Sequence, residues 1–196
     1  MGEIKSAFEK AMERVNEIGE ASEEEVMKWK YIPEGQKLAS RCLNEECNLG
    51  AELDKYDYKA RPFVARGTEE VLLSNINLPA NDVAKSNNRR AMETIKVLKK
   101  DKAGVENVYS KIRRIFTHFE QEGEQQRRQA YESLKQDFQL KIQQAMQQQG
   151  GLPPGAKIDI ERQPQFQEEW RRVMIQLDSQ YLKLLGEYQQ EIVNLG

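Results

Sequence analysis

From Phe166 to the end of the chain, apolar side chains recur every three or four positions: Phe166, Trp170, Val173, Leu177, Tyr181, Leu184, Tyr188, Ile192 and Leu195. That spacing keeps one side of an α-helix apolar along its whole length. A stripe so long needs an apolar partner, and the proline-free tract Val105–Gln149 supplies one. There Val105, Tyr109, Ile112, Phe116 and Phe119 begin a stripe that Ala130, Leu134, Phe138, Ile142 and Ala145 continue. As one helix at ~1.5 Å per residue this tract is roughly 67 Å long, a length typical of a coiled coil. The run Gly150-Gly151-Leu152-Pro153-Pro154-Gly155 must break it, and Pro164 suits the first turn of the helix that returns. The pattern predicts an antiparallel, coiled-coil-like hairpin over 105–196 with its turn at 150–163. Self-association is the competing way to bury both stripes.

The N-terminal half reads as shorter helices. Ile4, Phe8, Ala11, Val15 and Ile18 form a stripe that Gly19 ends. Ser22 and Glu25 make a capping-box pattern for a second helix, which is expected to stop before Pro33. A third helix is expected from about Gln36 into the low fifties, on the frame Leu38, Cys42, Leu49, Leu53 and Tyr56. The segment 57–79 is ambiguous. Two extended strands turning at Gly67 and a short helix capped by Thr68 fit it equally. Helix resumes near Asn81 with Ala84, Asn88, Ala91, Ile95 and Leu98 on one frame, and Gly104 either ends it or sits inside it. The fold expected is therefore all-α and elongated, with 1–104 as a region of shorter helices packed on the 105–196 hairpin.

The opening Met-Gly-Glu-Ile-Lys-Ser-Ala-Phe-Glu-Lys-Ala-Met-Glu-Arg (Met1–Arg14) resembles the openings of an uncharacterised family of prokaryotic helical proteins. The resemblance implies helices and carries no activity.

Charge changes the picture in one place. Residues 1–60 hold 9 basic and 14 acidic side chains, 61–118 hold 12 and 6, and 119–196 hold 9 and 12. The basic middle concentrates in Lys85, Arg89, Arg90, Lys96, Lys99, Lys100, Lys102, Lys111, Arg113 and Arg114. Such a face can track phosphates, which makes nucleic acid or an anionic surface a candidate partner. Its acidic neighbours and the lack of aromatic residues on that face favour a solvated or internally paired surface instead.

Little else points to chemistry. Cys42 and Cys47 are the only cysteines, with no second pair and no nearby histidine, so a zinc site lacks ligands. His118 is the sole histidine. No nucleophile elbow, P-loop or zinc-protease pattern occurs, so no catalytic residue, metal or cofactor is assigned. With no apolar run near the length of a membrane span and no signal-like start, a cytoplasmic protein with reduced thiols is expected. These features favour a structural or protein-interaction role, as scaffold or adaptor, with another protein or a second copy as partner. The stripe Phe166, Trp170, Val173, Leu177, Tyr181, Leu184, Tyr188 and Ile192 is the expected helix–helix interface.

Overall fold

The computed structural model describes residues 22–45, 47–148 and 159–195. The expected stripe Ile4–Ile18 and most of the expected turn at 150–163 lie outside the described residues. What is described is helical and contains no strand: α1 (Glu23–Asn44), α2 (Leu49–Leu53), α3 (Arg61–Ser74), α4 (Asp82–Leu98), α5 (Lys102–Glu120), α6 (Glu122–Gln148) and α7 (Pro164–Asn194). Two compact units result. One comprises the described residues up to Asn75 with Arg90–Leu98, and the other Ile76–Arg89 with the residues from Lys99 onward.

In the first unit the capping box forms. Ser22 Oγ accepts from the Glu25 amide at 3.2 Å, and Glu25 Oε2 accepts from the Ser22 amide at 2.8 Å. The helix does not stop before Pro33, however, and Pro33 lies inside α1. Nor does a separate helix run from Gln36 into the fifties, because α1 ends at Asn44 and the five-residue α2 starts after Asn48. Proline's missing N–H removes one ladder bond on an exposed flank of α1, and the crossing with α3 directly beyond it outweighs that loss.

At that crossing two helices meet glycine to glycine. A Cβ on Gly35 would run into the Val64 carbonyl and come within 2.8 Å of the Thr68 nitrogen, and one on Gly67 would strike the Ile32 carbonyl. Thr68, fully buried, places Oγ1 2.8 Å from Val64 O of its own helix and 3.1 Å from Gly35 O of α1, so its one proton is shared between the ladder of α3 and the contact between the helices. This long-range packing also settles 57–79. Neither the strand pair nor a helix starting at Thr68 forms, since α3 runs straight through Gly67. Around the crossing Leu38, Cys42, Leu49, Leu53 and Val64 make the core, with Tyr31, Tyr56 and Leu98 packed against it. Arg90 Nη1 donates to Leu43 O at 2.6 Å, setting a cation at the carbonyl end of α1. The thiols expected to be free are joined: Cys42 and Cys47 form a disulfide across Cα atoms 4.9 Å apart, which ties the last turn of α1 to the following loop.

The second unit begins with an extended segment held by side-chain amides instead of a strand. Asn88, 3% exposed, accepts from the Asn77 amide at 2.8 Å and donates to the Asn77 carbonyl at 2.6 Å. Gln189 from α7 donates to Ile76 O at 2.9 Å. The open question at Gly104 resolves in favour of neither alternative. Helix α4 stops at Leu98, and Gly104 lies in the first turn of α5, where its amide donates to the N-cap Asp101 carboxylate at 2.8 Å. Buried Lys99 donates to Val193 O and Leu195 O, at 3.2 and 2.7 Å, and so caps the carbonyl end of α7. The tract 105–149 is not one helix, because it breaks at Gln121 between α5 and α6.

Helix α7 packs on both α5 and α6. The contacts pair in opposite order along the chain: Phe138 with Phe166, Tyr131 with Trp170, Arg127 with Asp178, Phe119 with Tyr181, and Lys111 with Glu191. Index rises along α5 and α6 as it falls along α7, so the helices run antiparallel. Among the described residues no helix is long and apolar enough to cross a membrane.

Candidate groove between three helices

Along α7 the expected interface residues divide into three groups. Near the start, Phe166 is buried edge-on between Tyr131 and Phe138, with ring centroids 5.6 and 5.3 Å away, and Trp170 meets Tyr131 at 5.1 Å. Near the end, Ile192 is buried, and Lys111 sets its ammonium 5.4 Å above the Tyr188 ring while pairing with Glu191 at 2.8 Å. Between these ends the stripe is only partly covered. Val173, Leu177, Tyr181 and Leu184 line an open groove of about 800 Å³, together with Ile115, Arg114 and His118 of α5. Gln126 of α6 and Gln176 and Gln180 of α7 complete the lining. Two helices meeting at a seam cannot cover a stripe from every side, so leucines such as Leu184 stay 42% exposed.

One corner of the groove is polar. His118 Nδ1 and Tyr181 Oη share a hydrogen bond of 2.8 Å, with the hydroxyl donating when that imidazole nitrogen is bare. Burial pushes the Tyr181 hydroxyl up, so the phenol keeps its proton. Behind it Arg127 lies 4.1 Å from the centre of the Phe119 ring and donates to Phe119 O at 3.0 Å. Its other nitrogen stands 3.6 Å from Asp178, too far for a hydrogen bond, and both atoms are buried without one. Burial raises the Asp178 carboxyl above its ordinary value, and the Arg127 charge recovers only part of the loss.

The sign of the pH dependence follows. The folded state holds this proton where the unfolded chain, titrating near about 3.9, has released it, so stability contributed here falls as pH rises through that window. Asp178→Asn is expected to remove this slope and to cost less than about 1 kcal/mol at neutral pH, since a poorly paired buried charge disappears. Thermal melts of the two proteins across the acidic range test it. A difference curve without pH dependence would contradict the assignment.

The basic residues of 85–114 do not form one uncommitted face. Lys85 pairs with Glu120 at 2.6 Å, Lys111 with Glu191, and Arg113 with Glu106. Arg90 and Lys99 are held by backbone carbonyls, and Arg114 lines the groove. Arg90 and Lys96 belong to the first unit and the rest to the second. Among the described residues no three histidine, cysteine or acidic side chains are grouped to hold a metal ion. Sequence reasoning missed Arg127 and Asp178, whose pairing links two helices.

These features define an all-helical protein with an open, amide-rimmed groove among three helices. The model of a family of unknown function, DUF6657, matches residues 50–194, and the chain belongs to that family. The match leaves out the opening Met1–Arg14. No curated protein and no solved structure matches the chain.

Proposed function

We propose that this protein is a structural or interaction module, a scaffold or adaptor, whose groove receives the apolar face of a helix from another protein. One observation carries the reading: half-exposed Val173 and Leu177 and exposed Leu184 form, over buried Ile115, the apolar floor of an open groove, and Gln126, Gln176 and Gln180 stand along it. A helix seated there would exchange water for apolar contact on the floor while the amides satisfy its polar flank. Arg114 and His118 on one wall favour a carboxylate on the edge of the incoming helix. The reading assigns the polar side chains to recognition.

A photo-crosslinking residue in place of Leu184, compared with one in place of the exposed Tyr58, tests this in the cell of origin. Leu184 is expected to yield a discrete adduct with another protein that Tyr58 does not, and Leu177→Glu in the folded protein is expected to abolish it. Identical adducts from both positions, or adducts that survive Leu177→Glu, would refute the groove. A polyanion bound through residues 85–114 is the second reading. It draws less support, because Lys85, Arg90, Lys99, Lys111 and Arg113 are already engaged by carboxylates or carbonyls. A mobility shift that weakens steeply with salt would favour it.

A further inference from the structure

The bridge between Cys42 and Cys47 joins two sulfurs in unlike surroundings. Cys42 is 7% exposed and stands in the core cluster with Leu38, Leu49, Leu53 and Val64, whereas Cys47 is only partly buried and packs against that cluster. A thiolate opens a disulfide by attacking one sulfur in line with the bond, from the side opposite the sulfur that leaves. Burial closes that approach at Cys42, and Cys47 is the sulfur that solvent can reach. Opening the bridge leaves this part of the fold its other anchors. The Glu45 amide donates to Arg41 O at 2.8 Å and closes the last turn of α1, and Asn48 Oδ1 accepts from the Ala51 amide at 3.2 Å at the start of α2. Arg41 pairs with Glu52 at 2.6 Å, Tyr56 meets Tyr31 edge-on with ring centroids 6.2 Å apart, and Leu49 and Leu53 are buried. The ring that the bridge closes runs only from 42 to 47, so its loss returns little chain entropy to the unfolded state.

We propose that Cys47 is a site of reversible S-thiolation by a low-molecular-weight thiol, with Cys42 as the leaving and then the resolving sulfur. The incoming thiolate bonds to Cys47 Sγ as the Cys42–Cys47 bond breaks. The electron pair of that bond leaves on Cys42 Sγ, which takes up a proton from water. One disulfide replaces another, so the step needs no oxidant or reductant beyond the thiol itself. The same chemistry runs backwards from within the chain: the Cys42 thiolate attacks Cys47 Sγ, expels the small thiol and restores the bridge. Cys42 and Cys47 are the only cysteines, so no other thiol of the chain competes for either step. Because the surrounding anchors do not depend on the bridge, the chain stays folded in both forms. The connection between α1 and α2 thus gains and loses a polar adduct according to the thiol concentration around it.

Peptide mass spectrometry on the full, oxidised chain tests the proposal, with glutathione as the probe. After brief exposure under native conditions, free thiols are blocked with N-ethylmaleimide and the chain is digested. Glutathione is expected on Cys47 and the maleimide on Cys42, a pattern that outnumbers its reverse roughly tenfold. The adduct is expected to keep the helicity of the bridged protein by circular dichroism. Removing free glutathione before the block is expected to bring back the bridged peptide. In Cys42→Ala, an adduct formed on Cys47 with glutathione disulfide is expected to outlast the same removal, because the resolving thiol is gone. Should that variant fail to fold, the wild-type measurements decide alone. Adducts shared evenly between the two cysteines, a bridge that opens only in denaturant, a loss of helicity on thiolation, or a wild-type adduct that does not revert would each overturn the proposal.

Discussion

Gly35→Ala is expected to destabilise the protein by about 2–3 kcal/mol, even though alanine is the better helix former. In an open helix the exchange would gain about 1 kcal/mol of propensity. At Gly35 the added methyl meets the Val64 carbonyl and the Thr68 nitrogen, both of them backbone, so α1 and α3 must move apart as units. Separation also stretches the Thr68 hydroxyl away from Gly35 O. Gly67→Ala is expected to behave alike, through the Ile32 carbonyl. Gly50→Ala is the control, because its Cβ would find only an ordinary contact at 3.5 Å from the Asn48 side chain. Chemical denaturation measures all three. A neutral or stabilising Gly35→Ala would mean that the helices do not approach as closely as described.

Asn88→Ala is expected to cost a further large amount, about 2–3 kcal/mol. The side chain is buried and uses both ends of its amide on one residue, so its removal deprives the Asn77 N–H and the Asn77 carbonyl of a partner at once. Asn88→Asp is informative in a different way. A carboxylate still accepts from the Asn77 amide but sets negative charge against the Asn77 carbonyl, so it is expected to be no better than alanine at neutral pH and to improve on acidification. Hydrogen exchange at the Asn77 amide reports the change locally, and unaltered protection in Asn88→Ala would rule out the clamp.

Helical periodicity was readable wherever one stripe dominated, as in α5 and α7. It failed where a distant contact decided the outcome. Pro33 reads as a stop because the gain at the Gly35–Gly67 crossing is invisible from either segment alone. The Val71–Ile76 cluster reads equally as strand or helix, because only packing of α3 on α1 separates the two. At the break Gln121 is itself a good helix former, and the one local mark is Gly123 two residues on, which a helix can also carry in its interior. The basic residues looked like one face because their partners, among them Glu120, Glu191 and the Leu43 carbonyl, stand on other elements or turns. The groove itself was half legible: its leucines were in the stripe, but their exposure depends on how few helices surround them.

The interruption at Gln121 also resets which side chains look toward α7. On α5 the residues in contact include Lys111 and His118, seven apart. Carried on without a break, that repeat would next present Gln125 and Glu132, yet both are exposed, and Arg127, Tyr131 and Phe138 make the contacts instead. Arg127 lies two residues beyond that continuation, whereas Tyr131 and Phe138 each fall one residue short of it, and that offset is what lets an aromatic ring meet Trp170. A straight rod of the same sequence would have turned a carboxylate toward that indole.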